Sequence, residues 1–312
     1  MNNLKHDEIR QAVRQSALAA AVGWGLFPVV MGAAIATIYL APSSGIAAQQ
    51  AQMIVFFTTL ALIFAFERWL PANRDWSHPI GKDRRVDATS FIVLMGVADP
   101  LTRMLAAMAL TSIVTQLGYT ESLGLFPNGL PFLAQLGIAM LVAEFGQYWM
   151  HRLAHERKVL WRFHSVHHSS GRIYWLNGFR VHPLNMLWHF FSGTFVLMLL
   201  GASEHIVVAY LTVAAVASAF QHANIDLKFG WLNYVFSTSE LHRWHHSTDP
   251  GEGNSNYGSV LIFWDMLFGT RFLIANTQPA RLGLHDNSGY PHASYLKQLF
   301  RPFMALARGR SR

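Results

Sequence analysis

The chain has no cysteine among its 312 residues. That absence excludes disulfides, thiolate metal sites, iron–sulfur clusters and a cysteine nucleophile. Charge is scarce too: Asp, Glu, Lys and Arg make up 13% of the residues, where soluble domains carry about 25%. Too few polar groups are present to coat a soluble surface of this size, so the excess apolar surface needs lipid as its solvent. Acidic residues are the scarcer sign, 17 against 24 basic ones, for a net charge of +7. The basic residues flank apolar segments and form no nucleic-acid motif. They therefore point to membrane topology and anionic headgroups, and not to nucleic acid as a partner.

What is abundant is apolar sequence in long runs. Ala17–Leu40 carries no charge and is long enough to span a bilayer, with Pro28 as a candidate kink. Met53–Trp69 is a second span. Ser90–Leu117, interrupted by Asp99, Pro100 and Arg103, is either one kinked span or an interfacial helix followed by a span. Phe132–Trp149 is the fourth span and runs directly into His151. The loops at 41–50 and 118–131 have no Lys or Arg, whereas the N-terminus and the 68–85 loop are basic. The positive-inside rule then places the N-terminus and His151 in the cytoplasm. Leu184–Leu200 and Ile206–Phe220, joined by five residues, read as a helical hairpin that enters the membrane and returns. The expected fold is all-α: an integral, multi-pass membrane protein of about four transmembrane helices plus this hairpin, with a cytoplasmic His-rich helical cap. The expected divisions are an N-terminal transmembrane region (1–130), a catalytic domain (131–272) and a basic cytoplasmic tail (273–312).

Twelve of the 16 histidines lie between His151 and His246. Three blocks dominate: His151 with His155; His164 with His167 and His168; and His242 with His245 and His246. Side chains three and four apart on a helix share one face, so each block converges. Neutral imidazole is the commonest protein ligand for first-row metals. A lone packed histidine is ordinary, but eight close together would lack hydrogen-bond partners if neutral and repel if charged. A metal removes both difficulties, and eight nitrogens suit two ions better than one tetrahedral zinc. The expected site is therefore dinuclear, although imidazole alone does not choose among Zn, Cu, Fe and Ni.

His222 is a further candidate ligand at the end of the hairpin, and His182 another at its start. Asp226, four residues after His222, is a candidate ligand or an acceptor behind one. Glu144 lies in the fourth span, where a carboxylate is costly and functional by default. With Tyr148, His151 and His155 it falls on one helical face, which suggests a hydrogen bond to a ligating histidine. His189 and His205 read as structural, and the tryptophans near the blocks as an interfacial belt.

At these motifs the chain resembles the fatty acid hydroxylase/sterol desaturase superfamily. The matching stretches are Tyr148–His155, Trp161–Ser169, Arg180–Pro183, His222 and Leu241–Ser247, with Asn256–Asp265 and Leu267–Thr270 similar to the family's closing signature. The resemblance covers roughly residues 130–272. It implies two iron ions held by these histidines on the cytosolic face, activation of O2, and hydroxylation or desaturation of an unactivated C–H bond of a sterol, fatty acyl chain or other membrane lipid. Some members carry a histidine pair where this chain has only His222, between Ser218 and Asp226. The tenth ligand is then either His182 or Asp226. No dinucleotide fingerprint or fused haem domain is present, so electrons come from an external donor, a partner protein or reductase. A non-enzymatic metal-binding or transport protein is the alternative of another class. No retention signal ends the chain, which favours the bacterial inner membrane over the endoplasmic reticulum.

Overall fold

A computed structural model describes residues 16–78, 81–119, 121–287 and 289–307, with side chains described to residue 304. Within them the regular structure is helical, and β pairing is confined to isolated bridges such as Pro71 with Ile225. Five helical stretches are long and apolar enough to cross a membrane: Ala17–Leu40, Ala48–Trp69, Asp83–Gln116, Pro183–Leu200 and Glu204–Gln221. The protein is a multi-pass membrane protein.

Helix α1 (Ala17–Leu40) starts at Ser16, whose side chain accepts from the Ala19 N–H, and it runs through Pro28. Its buried face, Ala19, Gly23, Phe27, Met31, Ala34 and Ile38, repeats every three to four residues. The remaining faces suit lipid. Helix α2 (Ala48–Trp69) follows. Helix α3 (Asp83–Val93) passes through a π-helical turn at Leu94–Ala98 into α4 (Asp99–Gln116). The expected interruption near Pro100 is thus a local widening within one helical run. Pro100 has no N–H to give the preceding turn, and the Asp99 N–H reaches back to the Leu94 carbonyl.

Helix α5 (Phe132–Glu156) contains the expected fourth span but is not one of the five apolar stretches. Gln135, Glu144 and Gln147 dilute its apolar character, and it carries His151 and His155 on its last turns. Helix α6 (Lys158–His164) follows after one residue. The hairpin consists of α7 (Pro183–Ser192), α8 (Thr194–Leu200) and α9 (Glu204–Gln221), with a break at Gly193. Gly201, at φ 91°, and the Ser203 cap turn the chain between α8 and α9. Helix α9 is the central post: its apolar window is 67% buried, against 22–28% for the other four. It packs on α1, α2 and α5.

Close helix contact fixes where α5 meets the hairpin. A Cβ on Gly146 would lie 1.7 Å from the Ser192 carbonyl oxygen, and one on Gly193 would lie 2.7 Å from the Gln147 side chain. Only glycine permits this crossing, the usual device for backbone approach in membranes. It sets His151 of α5 against α7.

Above this bundle sits the cap: α6, α10 (Ser239–His245), α11 (Phe263–Leu267), α12 (Tyr295–Ala307) and their loops. The region before residue 131 is integral to it. Asp83 and Asp87 of α3 hold Arg180, and Asp83 also meets Arg172 at 3.4 Å; all four are buried. Glu67 of α2 accepts from the Trp175 and Asn224 N–H groups. A buried ion-pair network is weak evidence for stability, but removing one member strands a charge and costs about 3–5 kcal/mol. The described residues from 273 onward also pack on the cap, with Leu282, Leu284, Tyr290 and Tyr295 buried.

Candidate metal centre

The three histidine blocks converge into two groups. His151, His155, His164, His168 and His245 form one; His167, His222, His242 and His246 form the other. Within each group the donor atoms lie within 4.8 Å of one another, so each group can hold a metal ion. Each HxxHH block divides between the groups. The 3₁₀ turn at His167–Ser169 points successive histidines different ways, and α10 ends between His245 and His246. The blocks therefore interleave: His168 and His246 stack across the divide at 4.4 Å between ring centroids.

Most of these rings are oriented by an acceptor behind them. His151 donates through Nδ1 to the Tyr257 carbonyl at 2.7 Å, and His245 to the Ser255 carbonyl at 2.7 Å. His155, His164 and His222 meet the side-chain oxygens of Asn254, Asn185 and Asn177 at 3.1, 3.0 and 3.0 Å. A neutral imidazole that donates from Nδ1 has a bare lone pair on Nε2. The bare Nε2 atoms of His151 and His164 face each other at 3.0 Å, and that of His222 lies 2.9 Å from the Nε2 of His242, whose own Nδ1 is buried without a partner. The Nε2 atoms of His155 and His245 and the Nδ1 of His167 are buried without partners. Facing acceptors repel unless a cation sits among them, so this donor set fits metal ions. Burial, reinforced by the neighbouring histidines, pushes His164, His167, His168, His242, His245 and His246 far below the usual histidine range. They stay neutral and available as ligands.

Three sequence expectations change here. His182 lies outside both groups and caps α7: its Nδ1 accepts from the Leu184 N–H and its Nε2 donates to the Leu299 carbonyl, each at 3.1 Å. Neither nitrogen is left for a metal. Asp226 is at the surface, paired with Lys228 at 2.9 Å, because its segment runs away from the rings beside α1 and α2. Glu144 touches no histidine. Its carboxylate accepts from the Tyr210 hydroxyl and from the N–H groups of Ser259, Val260 and Leu261.

Glu144 instead acts through a loop. The stretch Asn254–Tyr257 supplies the acceptors behind His155, His245 and His151. Asp265 holds the N–H groups of Tyr257 and Gly258 at 2.8 Å, and Glu144 holds the three that follow. Burial raises the Asp265 carboxyl to about 6. This orienting role was invisible in the sequence, where the stretch carried only a resemblance. His189, read as structural, does reach the site: its ring lies 5.4 Å from that of His151. His205 does not, and it packs on Phe132 at the opposite end of α5.

Below the rings lies a cavity of about 300 Å3 whose walls include His151, His164, His222, His242, Gln147 and His189. A second chamber of about 540 Å3 lies between α2, the π turn and α9; its walls are mostly apolar, with Gln52, Asp99 and Arg103 also among them. Met95, Gly178, Phe179, Ala214 and Ser218 line both. On its outer side are Met53 and Phe57, which are 59% and 55% exposed on helix α2, a candidate span. A third opening of about 200 Å3 reaches His155, His168 and His245 from the cap.

Span-forming helices beneath two buried histidine groups, each able to hold a metal ion, define a membrane protein with a candidate dinuclear metal centre. The chain belongs to the fatty acid hydroxylase family, within the fatty acid hydroxylase/sterol desaturase superfamily: the profile described as "Fatty acid hydroxylase" matches residues 136–270. It is 33% identical over 288 residues to the ornithine lipid hydroxylase OlsE of Rhizobium tropici, a match covering 92% of this chain and 86% of that protein. It is 31% identical over 134 residues to human alkylglycerol monooxygenase, covering 42% of this chain and 29% of the relative. It is 28% identical over 142 residues to methylsterol monooxygenase 1 of Rattus norvegicus, covering 43% and 45%. No solved structure matches the chain.

Proposed function

We propose that the protein is an O2-dependent lipid hydroxylase whose two histidine groups each hold an iron ion. His151, His155, His164, His168 and His245 hold one, and His167, His222, His242 and His246 the other. Iron held there would pass electrons to O2 and so activate it toward an unactivated C–H bond, chemistry that side chains alone do not provide. The overall reaction converts R–H, O2, two electrons and two protons to R–OH and water. The electrons come from an external carrier protein or reductase, since the chain has no cysteine for an iron–sulfur cluster. The cap lies on the cytoplasmic side, the side that the basic loops mark. The membrane is the bacterial inner membrane, in keeping with the extended similarity to a Rhizobium protein.

The observation that carries the lipid assignment is the apolar chamber beside the histidine-lined one. Its walls of Met53, Phe56, Phe57, Phe91 and Leu211 suit an acyl or sterol body, and its far wall is the near wall of the metal cavity. A substrate threaded from the bilayer would leave its reacting carbon beneath the rings without crossing water. The Asn and backbone acceptors hold the rings fixed while this occurs.

Comparative mass spectrometry of lipids from cells with and without the protein tests this. A lipid class heavier by one oxygen, present only with the protein, is expected. Loss of two hydrogens would mean desaturation at the same centre. No lipid change under aerobic, iron-replete growth would contradict the assignment.

A further inference from the structure

The C-terminal helix α12 is amphipathic in an unusual way. Its buried side, Tyr295, Gln298 and Pro302, packs on the cap. Leu296, Phe300 and Met304, four apart, are 60%, 62% and 50% exposed, and Phe303 beside them is 46% exposed. Lys297 and Arg301 follow one position on, along the adjacent flank. A stripe of large apolar side chains open to water on a short helix is costly unless something covers it.

Its surroundings say what covers it. Helix α12 sits where two spans begin. The Tyr295 hydroxyl donates to the Val181 carbonyl, and the Leu299 carbonyl accepts from His182, just before the Pro183–Leu200 span. Tyr295 also clusters with Val86 of α3, at the start of the Asp83–Gln116 stretch. On the apolar flank, Phe303 meets Phe163 at 5.4 Å, and Phe163 meets Trp188, which lies inside the span. On the cationic flank, Arg301 lies 4.8 Å over Tyr290 of the cap. The Phe303 flank thus faces the level of the bilayer and the Arg301 flank faces the cap. Between α12 and α6 runs a groove of about 980 Å3, lined by Leu296, Phe300 and Met304, by Lys158, Lys297 and Arg301, and by one carboxylate, Asp286.

We propose that α12 lies in the plane of the membrane interface and that its groove holds an anionic phospholipid of the surrounding leaflet. The acyl chains cover Leu296, Phe300 and Met304, and the phosphate meets the basic residues. The site is separate from the metal centre. It bears on it through Val181, which lines the metal cavity and is tied to Tyr295. A seated α12 braces that wall.

The lack of native cysteine makes the test direct, because one substitution gives one labelling site. Full-length Phe300→Cys and Asn287→Cys proteins, each carrying an environment-sensitive fluorophore, are reconstituted in phosphatidylcholine/phosphatidylglycerol vesicles. Asn287 is an exposed cap position and serves as the water reference. At position 300, lipids spin-labelled near the headgroup should quench strongly and iodide weakly; at 287 the order reverses. Spin-labelled phosphatidylglycerol should quench position 300 at least twofold more than spin-labelled phosphatidylcholine at equal mole fraction. Lys158→Gln with Lys297→Gln should remove that preference. Iodide reaching position 300 as freely as 287 would overturn the proposal and leave the face to a soluble partner. Equal quenching by the two lipids would overturn the anionic site. The readout needs no turnover, so its failure is distinct from failure of the hydroxylase assignment.

Discussion

His151 and His164 point bare Nε2 atoms at each other across 3.0 Å, each fixed by an acceptor behind its Nδ1. Without a cation this is a repulsive contact. His164→Ala should therefore lose the ion of its own group while the other group keeps its own, and His242→Ala should do the reverse. His182→Ala should keep both ions and lose only about 0.5–2 kcal/mol of stability, the usual cost of a helix cap. Metal content by mass spectrometry and thermal unfolding in detergent separate these outcomes. Loss of metal from His182→Ala would restore it as a ligand.

Gly178 packs on the ring of His222. A Cβ there would lie 3.1–3.3 Å from the Cβ and two ring carbons of His222, while Asn177 holds the same ring from Nδ1. Gly178→Ala should displace the ring by a few tenths of an ångström and weaken metal binding in that group by about 10–100-fold, the range for disturbed support of ligands. A metal titration followed by absorbance reads this. Unchanged affinity would show that His222 does not ligate.

Glu144 and Asp226 should behave oppositely. In Glu144→Gln the amide can turn its NH2 toward the Ser259–Leu261 N–H groups or lose the Tyr210 donor, leaving buried donors unpaired at about 1–3 kcal/mol each. The loop behind His151 loosens with it, so both thermal stability and metal retention should fall. Asp226→Ala removes an exposed pair and should change stability by no more than about 0.5 kcal/mol, with metal and turnover retained. A metal deficit in Asp226→Ala would contradict its surface placement.

The wall between the two chambers offers a test of substrate access. Ser218→Leu and Ala214→Leu fill it without touching a ligating nitrogen. Both should retain metal yet lose at least about tenfold in kcat/KM, since misplacement of the substrate by an ångström costs on the order of 100-fold. Full activity would route the substrate elsewhere.

Much of this was legible in the sequence, for physical reasons. Long charge-free runs have one stable home, and helical spacing forces His151 and His155 to converge. The sequence did not reveal how the blocks divide. The HxxHH spacing groups neighbours in the chain, whereas the turn at His167 and the end of α10 at His245 send alternate rings to different groups. His182 looked like a ligand because its motif is local, but its partners are Leu184 and Leu299, the latter 117 residues away. The orienting acceptors were missed for a related reason: two of them are backbone carbonyls, which have no side-chain signature. Glu144 was singled out as a carboxylate within a span, but its backbone partners are N–H groups 115–117 residues on.

The most direct test of the central claim is metal content alongside O2-dependent turnover in detergent-purified protein. Two iron ions per chain, with reductant-dependent O2 consumption coupled to lipid hydroxylation, is the predicted result. A single loosely held zinc per chain, with no O2 uptake in the presence of reductant and lipid, would contradict it.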